Sequence, residues 1–436
     1  MIRCGDTVAL EVIGTNMLGN GVAKVENMVV FCHGAVEGDS VIALVTDVKK
    51  NYAEANCLKT VAPSGHRRCD PCPNSAECGG CVFGGISGEH EKDVKRQGIT
   101  SALRREQIRF EVSDFFQGTR EGYRNKAVFH FDGKKNCVFF GSGTSSFVEI
   151  DSCIICDPEI NRIKRETEKL LKENDQVDAD ELTYLYIRYM KETDEASVVV
   201  GYTGEGTLAD LASSLTDICP SVKCVMRGVA KGPDAKDERF ELVAGKDSIK
   251  ATVAGIDFSV SPEAFFQVNT EGAGELCRAV SRLAKLGDGE VAADLYCGTG
   301  LFGLYLAKET ADAEVYGIEL NERSVRCAND NAAANGIKNA FFLQGDSSEL
   351  KAKAALDSVD LAIVDPPRTG LSKKTITEIK SLAPKRIVYV SCNPSTLARD
   401  IRVLSDGYSL TDAIGIDMFP RTKHVETVVR LSRDDK

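Results

Sequence analysis

Cys392, in the run Ser391-Cys392-Asn393-Pro394, and Glu426, in His424-Val425-Glu426-Thr427, have the residue types that covalent catalysis needs. A thiolate is the natural side-chain nucleophile, and a carboxylate close to it can remove a proton. Together they suit a reaction in which an unreactive ring carbon is activated by addition at its neighbour and restored by deprotonation. His424 is a second candidate base, although a His flanking a strand end is more often a surface residue or a substrate contact. A cysteine ending a strand is more often structural than catalytic, so its surroundings must argue for it.

Those surroundings are a regular alternation of strand and helix from about residue 261 onward. The runs Val291–Leu295, Val315–Leu320, Phe341–Leu343, Leu361–Val364 and Ile387–Ser391 read as strands of a doubly wound, mostly parallel sheet. Ligands of such sheets bind at the carboxyl ends of the strands. After the first of them comes Cys297-Gly298-Thr299-Gly300-Leu301-Phe302-Gly303, where glycines such as Gly298 let a ligand approach the backbone at a helix start. The glycine pattern alone fits either a dinucleotide or S-adenosylmethionine. Asp294, Glu319, Asp346 and Asp365 fall at successive strand ends. Four carboxylates around one pocket would repel a pyrophosphate but accommodate a sulfonium and an amino group, which favours S-adenosylmethionine. In this reading Glu319 grips the ribose hydroxyls and Asp346 meets the adenine amino group.

A methyl donor beside a thiol and a carboxylate points to methylation of carbon 5 of uracil. That carbon is a poor nucleophile until a thiolate has added to carbon 6, and its proton must leave before the thiol can. The loop Asp365-Pro366-Pro367-Arg368 agrees: amino-group methyltransferases end a similar motif in an aromatic residue, and here an Arg stands in that place.

The segments SPEAFFQVN (261–269), DLYCGTGLFG (294–303), DPPRTGL (365–371), SCNPSTLARD (391–400) and HVETVV (424–429) resemble the RNA uracil-5-methyltransferase family. With GNGVAK and VVFCHGAVEGDSV near the start, which resemble a TRAM domain, and a CGGC run, the chain is most similar to the branch acting on 23S ribosomal RNA. The resemblance implies that Gln267, Tyr296, Glu319 and Asp365 bind the cofactor, that Cys392 is the nucleophile and that Glu426 is the base. It further implies ribosomal RNA as substrate, with transfer RNA as the alternative. A non-catalytic RNA-binding protein is the third possibility. It would leave the convergence of Cys392, Glu426 and four acidic strand ends without a purpose.

Cys69, Cys72, Cys78 and Cys81 form two Cys-x2-Cys units that could hold zinc. The family resemblance implies instead a four-iron cluster on Cys72, Cys78, Cys81 and Cys153, with Cys69 and Cys156 as extra thiols nearby. The Cys-x3-Cys-x2-Cys spacing of radical S-adenosylmethionine chemistry is absent.

With 436 residues, two or three domains are expected. Residues 1–60 read as a small antiparallel β-barrel of TRAM or OB-like type that binds RNA. Residues 61–260 form a central α+β domain with the cysteine cluster, and residues 261–436 the Rossmann-like methyltransferase domain. The net charge of −11 weighs mildly against a nucleic-acid ligand, but the N-terminal third is near neutral and carries Lys49, Lys50, Lys59, Arg67 and Arg68. No apolar run approaches ~18 residues and the N-terminus is polar, so no membrane association is expected, and a cytoplasmic monomer with reduced thiols is.

Overall fold

The computed structural model describes residues 2–141, 146–230 and 239–434. Three large sheets and a two-stranded hairpin organise these residues; the first sheet has its own apolar core, and one continuous core joins the second sheet and the hairpin to the third.

The first sheet has six strands: Thr7–Glu11, Gly14–Thr15, Gly21–Val25, Met28–His33, Ser40–Val48 and Tyr52–Ala62. Side chains alternate in and out along Ser40–Val48, as a sheet buried on one face requires, and Leu10, Ala23, Val30, Val41, Val45 and Ala55 fill its interior. The pairing is antiparallel except that Met28–His33 runs parallel to Tyr52–Ala62. The long hairpin 40–62 folds back beside the preceding strand and so imposes this departure from the expected antiparallel barrel.

The second sheet has seven strands between Lys126 and Gly245 in the order 147–149, 137–140, 126–131, 182–190, 195–202, 222–228, 240–245. The helices Pro158–Glu173 and Ala209–Ile218 pack on it, burying Ile160, Ile163, Leu171, Leu211 and Leu215. A hairpin, Ile249–Val253 with Ile256–Val260, leads out of it toward the C-terminal part.

The third sheet has eight strands, ordered 340–344, 314–319, 291–294, 361–364, 386–391, 426–433, 408–417, 114–117. The first five are parallel, and 426–433 runs antiparallel to both of its neighbours. This is the Rossmann-like arrangement expected from the strand–helix alternation. The chain moves outward from strand 291–294 in both directions, which opens a crevice at the carboxyl ends of 291–294 and 361–364. Residues 88–117, which lie in the expected central region, contribute to this layer: Asp114–Gln117 forms its far edge, parallel to 408–417, and the helix Gly88–Arg105 packs against the helix Pro394–Leu404. Among the described residues no helix is long and apolar enough to cross a membrane.

Candidate active site

Cys392, Glu426, Asp365 and Arg368 lie where strands 361–364, 386–391 and 426–433 end or begin. Cys392 follows its strand directly. Asn393 next to it caps the helix Pro394–Leu404 by accepting from the N–H of Ser395, and Pro394 occupies the first helical turn, so the chain turns sharply and leaves the thiol at the sheet edge. The amide Nδ2 of Asn393 donates to the carbonyl of Arg368 at 3.1 Å and Thr396 Oγ1 donates to the same oxygen at 3.3 Å. These bonds tie the Asp365–Arg368 loop to the cysteine turn.

Burial raises the Cys392 thiol above its ordinary pKa; Glu426 and Asp365 add to this, and the Arg368 guanidinium opposes it. Glu426 is buried, and its carboxyl is pushed well above the usual range by burial and then by Asp365, with Arg368 again acting against the shift. Cys392, Glu426, Asp365 and Arg368 thus form one electrostatic unit. Desolvation and two neighbouring carboxyls favour the neutral thiol and acid, and one cation favours their ionised forms. His424 lies 3.2 Å from Arg368 through Nδ1, and burial followed by the Arg368 charge lowers its pKa to about 4. It is therefore a neutral hydrogen-bond acceptor and a weak base, which favours Glu426 for proton removal.

A second group lies along the neighbouring strand ends. Asp294 is fully buried, and neither carboxylate oxygen has a hydrogen-bond partner of good geometry, although the backbone N–H groups of Tyr296 and Gly303 face it. Burial, with a contribution from Glu319, lifts it to about 7 against those N–H groups; Asp365 is lifted to about 7 by burial and by Asp294. Two carboxyls at strand ends, one with both oxygens orphaned, are a poor arrangement for an isolated fold and a good one for a cationic ligand. Gly298 has φ +52, and a Cβ there would meet nothing within 4 Å, so the backbone borders open space beside this row. Tyr296 pairs with Thr375 at 3.1 Å, and the carboxylate of Glu319 accepts from the N–H of Asn321 at 2.9 Å. Gln267 lies half-buried in the segment between the hairpin and the helix Thr270–Ala284, held by its carbonyl to Asn125 Nδ2. Asp346, just after strand 340–344, is exposed, and its carboxylate is held low by hydrogen bonds from Ser348.

The loop that leads into Glu426 is anchored by a buried ionic network. Lys95 Nζ, fully buried, contacts Glu91 at 2.8 Å, Asp417 at 2.7 Å and the carbonyl of Phe419 at 3.2 Å. Arg421, with φ 71, donates its N–H to Glu91 and its guanidinium to Asp70. This network and Arg368 were not among the site residues read from the sequence. Arg368 had a signal, since it sits in the loop after a strand end, whereas Lys95 reads as an ordinary solvent-facing helix charge.

Cys72, Cys78, Cys81, Cys153 and Cys156 line one cavity of about 410 Å³, while Cys69 is exposed outside it. Among the described residues, however, no three His, Cys, Asp or Glu side chains are grouped so as to hold a metal ion. The four expected ligands all line this one space. Cys153 and Cys156 are paired by a hydrogen bond, which lowers the pKa of the Cys153 thiol and raises that of Cys156.

Residues 89–434 match the family described as tRNA (Uracil-5-)-methyltransferase, and residues 4–58 match the TRAM domain. An uncharacterized RNA methyltransferase of Caldanaerobacter subterraneus subsp. tengcongensis is 31% identical over 450 residues, 99% of each chain. One from Clostridium tetani is 30% identical, spanning 99% of this chain and 97% of its own. Among solved structures, Pyrococcus abyssi tRNA (uracil-54, C5)-methyltransferase in complex with S-adenosyl-L-homocysteine superposes with a TM-score of 0.78 at 27% identity, covering 97% of this chain and 99% of its own.

Proposed function

Because the chain belongs to the tRNA (uracil-5-)-methyltransferase family, we propose that it methylates carbon 5 of a uridine in ribosomal RNA, with Cys392 as covalent nucleophile and Glu426 as base. The observation that carries this reading is the electrostatic unit of Cys392, Glu426, Asp365 and Arg368.

S-adenosylmethionine supplies an electrophilic methyl on a cationic sulfur. The orphaned carboxyl of Asp294, with Asp365 and Glu319, suits that cation, and Gln267, Tyr296, Gly298 and Asp346 are the further residues proposed to hold it. A positive charge beside Asp365 would offset the acid that keeps Cys392 protonated, so cofactor binding and thiol activation are coupled. The Cys392 thiolate adds to carbon 6 of the uracil, and the ring electrons pass through carbon 5 to the methyl group, whose bond to sulfur breaks. Glu426 as carboxylate then takes the proton from carbon 5, and the carbon–sulfur bond to Cys392 breaks, restoring the thiolate. Arg368 favours the ionised form at both steps, and neutral His424 orients its guanidinium.

A second reading, transfer RNA as substrate, is favoured by the Pyrococcus abyssi neighbour, which is a tRNA (uracil-54, C5)-methyltransferase and covers 97% of this chain. Ribosomal RNA rests on the resemblance of the cysteine-bearing N-terminal part to the ribosomal branch. Nucleoside mass spectrometry of ribosomal and transfer RNA from cells with and without the gene decides between them by which RNA loses 5-methyluridine. Loss from neither overturns both.

The thiol cavity supplies four cysteines, Cys72, Cys78, Cys81 and Cys153, of the type a four-iron cluster takes, and zinc is the alternative occupant. No step of the methyl transfer passes through this cavity.

A further inference from the structure

The turn at residues 16–20 of the N-terminal barrel reaches the cavity that contains Cys392. Met17 and Leu18 line one side of this space of about 280 Å³, with Arg368 and Cys392 on the other. The turn is fixed from three directions. Asn16 Oδ1 accepts from the N–H of Leu18 at 2.9 Å and of Asn20 at 3.0 Å, and the Asn16 N–H donates to the Asn20 carbonyl at 2.9 Å. Gly19 has φ +80, and a Cβ there would fall 2.6 Å from the Val82 carbonyl, so the turn sits tightly on the loop behind it. Met17 rests on Gly98 of the helix Gly88–Arg105, where a Cβ would fall 2.5 Å from its sulfur. Leu18, at the tip, remains 56% exposed. Around the same opening stand three exposed cations, Arg105, Arg368 and Lys423, on a chain whose net charge is −11.

We propose that Leu18 is an apolar wedge that enters the RNA stack as the target uridine swings out toward Cys392, filling the space the base leaves. The inference rests on the proposed function, in which neither face of carbon 5 or carbon 6 is reachable while the base is stacked. A wedge offsets the unstacking cost only if it arrives ordered, and the hydrogen bonds to Asn16 with the close packing of Gly19 on Val82 and of Met17 on Gly98 order the turn beforehand. Its fixed position relative to Cys392 couples filling the gap to delivering the base. The three cations meet the flanking phosphates.

The test uses the full-length protein, S-adenosylmethionine with a labelled methyl, and folded total RNA from cells lacking the gene, reading 5-methyluridine. Leu18→Ala is expected to lose at least about ten-fold in kcat/KM with S-adenosylhomocysteine affinity and melting temperature kept, and Leu18→Met to recover most of that loss. Leu18→Lys is expected to be as poor as Leu18→Ala, since a further cation does not replace an apolar filler. Activity of Leu18→Ala within about two-fold of the parent, or parental activity of Leu18→Lys, overturns the wedge and leaves the functional reading standing. Absence of 5-methyluridine with the parent protein overturns that reading and the wedge with it.

Discussion

The guanidinium of Arg368 lies 3.2 Å from Nδ1 of His424, joining the loop after strand 361–364 to the loop before strand 426–433 across the opening above Cys392. Because the His424 pKa is depressed to about 4, the ring is neutral near pH 7 and accepts the bond. The cation that favours an ionised Cys392 and an ionised Glu426 is thereby held in place by an uncharged group.

Removing that cation should make the thiol harder to ionise. The Cys392 pKa is already raised by burial, and Arg368→Gln raises it further, so alkylation of Cys392 by iodoacetamide should need a higher pH than in the parent. Mass spectrometry of the Cys392 peptide across a pH series reads this, and an unchanged midpoint would remove Arg368 from thiol activation.

Glu426→Gln keeps the shape of the side chain and removes the base. Methyl transfer should proceed while release slows by about 10²–10⁴-fold, so a covalent protein–RNA adduct accumulates on denaturing gels. Normal turnover without adduct would take the role from Glu426.

Asp294 titrates near 7 when folded, above its ordinary value of 3.8. A raised carboxyl stabilises the fold when protonated; that stability is full below about pH 4 and is lost as pH rises through 7. Without cofactor, the melting temperature of the parent should therefore fall between pH 5 and 8 more steeply than that of Asp294→Asn, and the variant should bind S-adenosylmethionine more weakly. Equal pH slopes together with parental affinity would contradict the assignment of Asp294 to the cation.

Lys95→Met leaves Glu91 and Asp417 buried without their shared cation, a change of the kind that costs about 3–5 kcal/mol. Denaturant titration should show that loss, and a loss below about 1 kcal/mol would mean that Arg120 and water compensate.

The C-terminal sheet was readable because its strands are short apolar runs, each bounded by a helix. Leu361–Val364 falls where the pattern places it, and Val291–Asp294 differs by a residue. Cys392 and Glu426 could be paired on paper because the chemistry of carbon 5 needs a nucleophile and a base at one strand edge. Asp114–Gln117 could not be assigned, since a four-residue strand that pairs with Ile414–Asp417 carries no local sign of a partner 300 residues away. Lys95 defeats periodicity for the opposite reason. It lies on a helix whose charges look solvated, and only the fold shows that Glu91 and Asp417 enclose it. The cysteine motif conveyed proximity, since Cys72, Cys78, Cys81 and the distant Cys153 line one cavity.

The covalent step is tested most directly by incubating the parent and Cys392→Ala with labelled S-adenosylmethionine and folded RNA, then identifying the methylated nucleoside by mass spectrometry. The parent should yield 5-methyluridine and Cys392→Ala none, while the variant still binds S-adenosylmethionine. Substantial 5-methyluridine from Cys392→Ala, or a methyl group at another position from the parent, would contradict the covalent scheme.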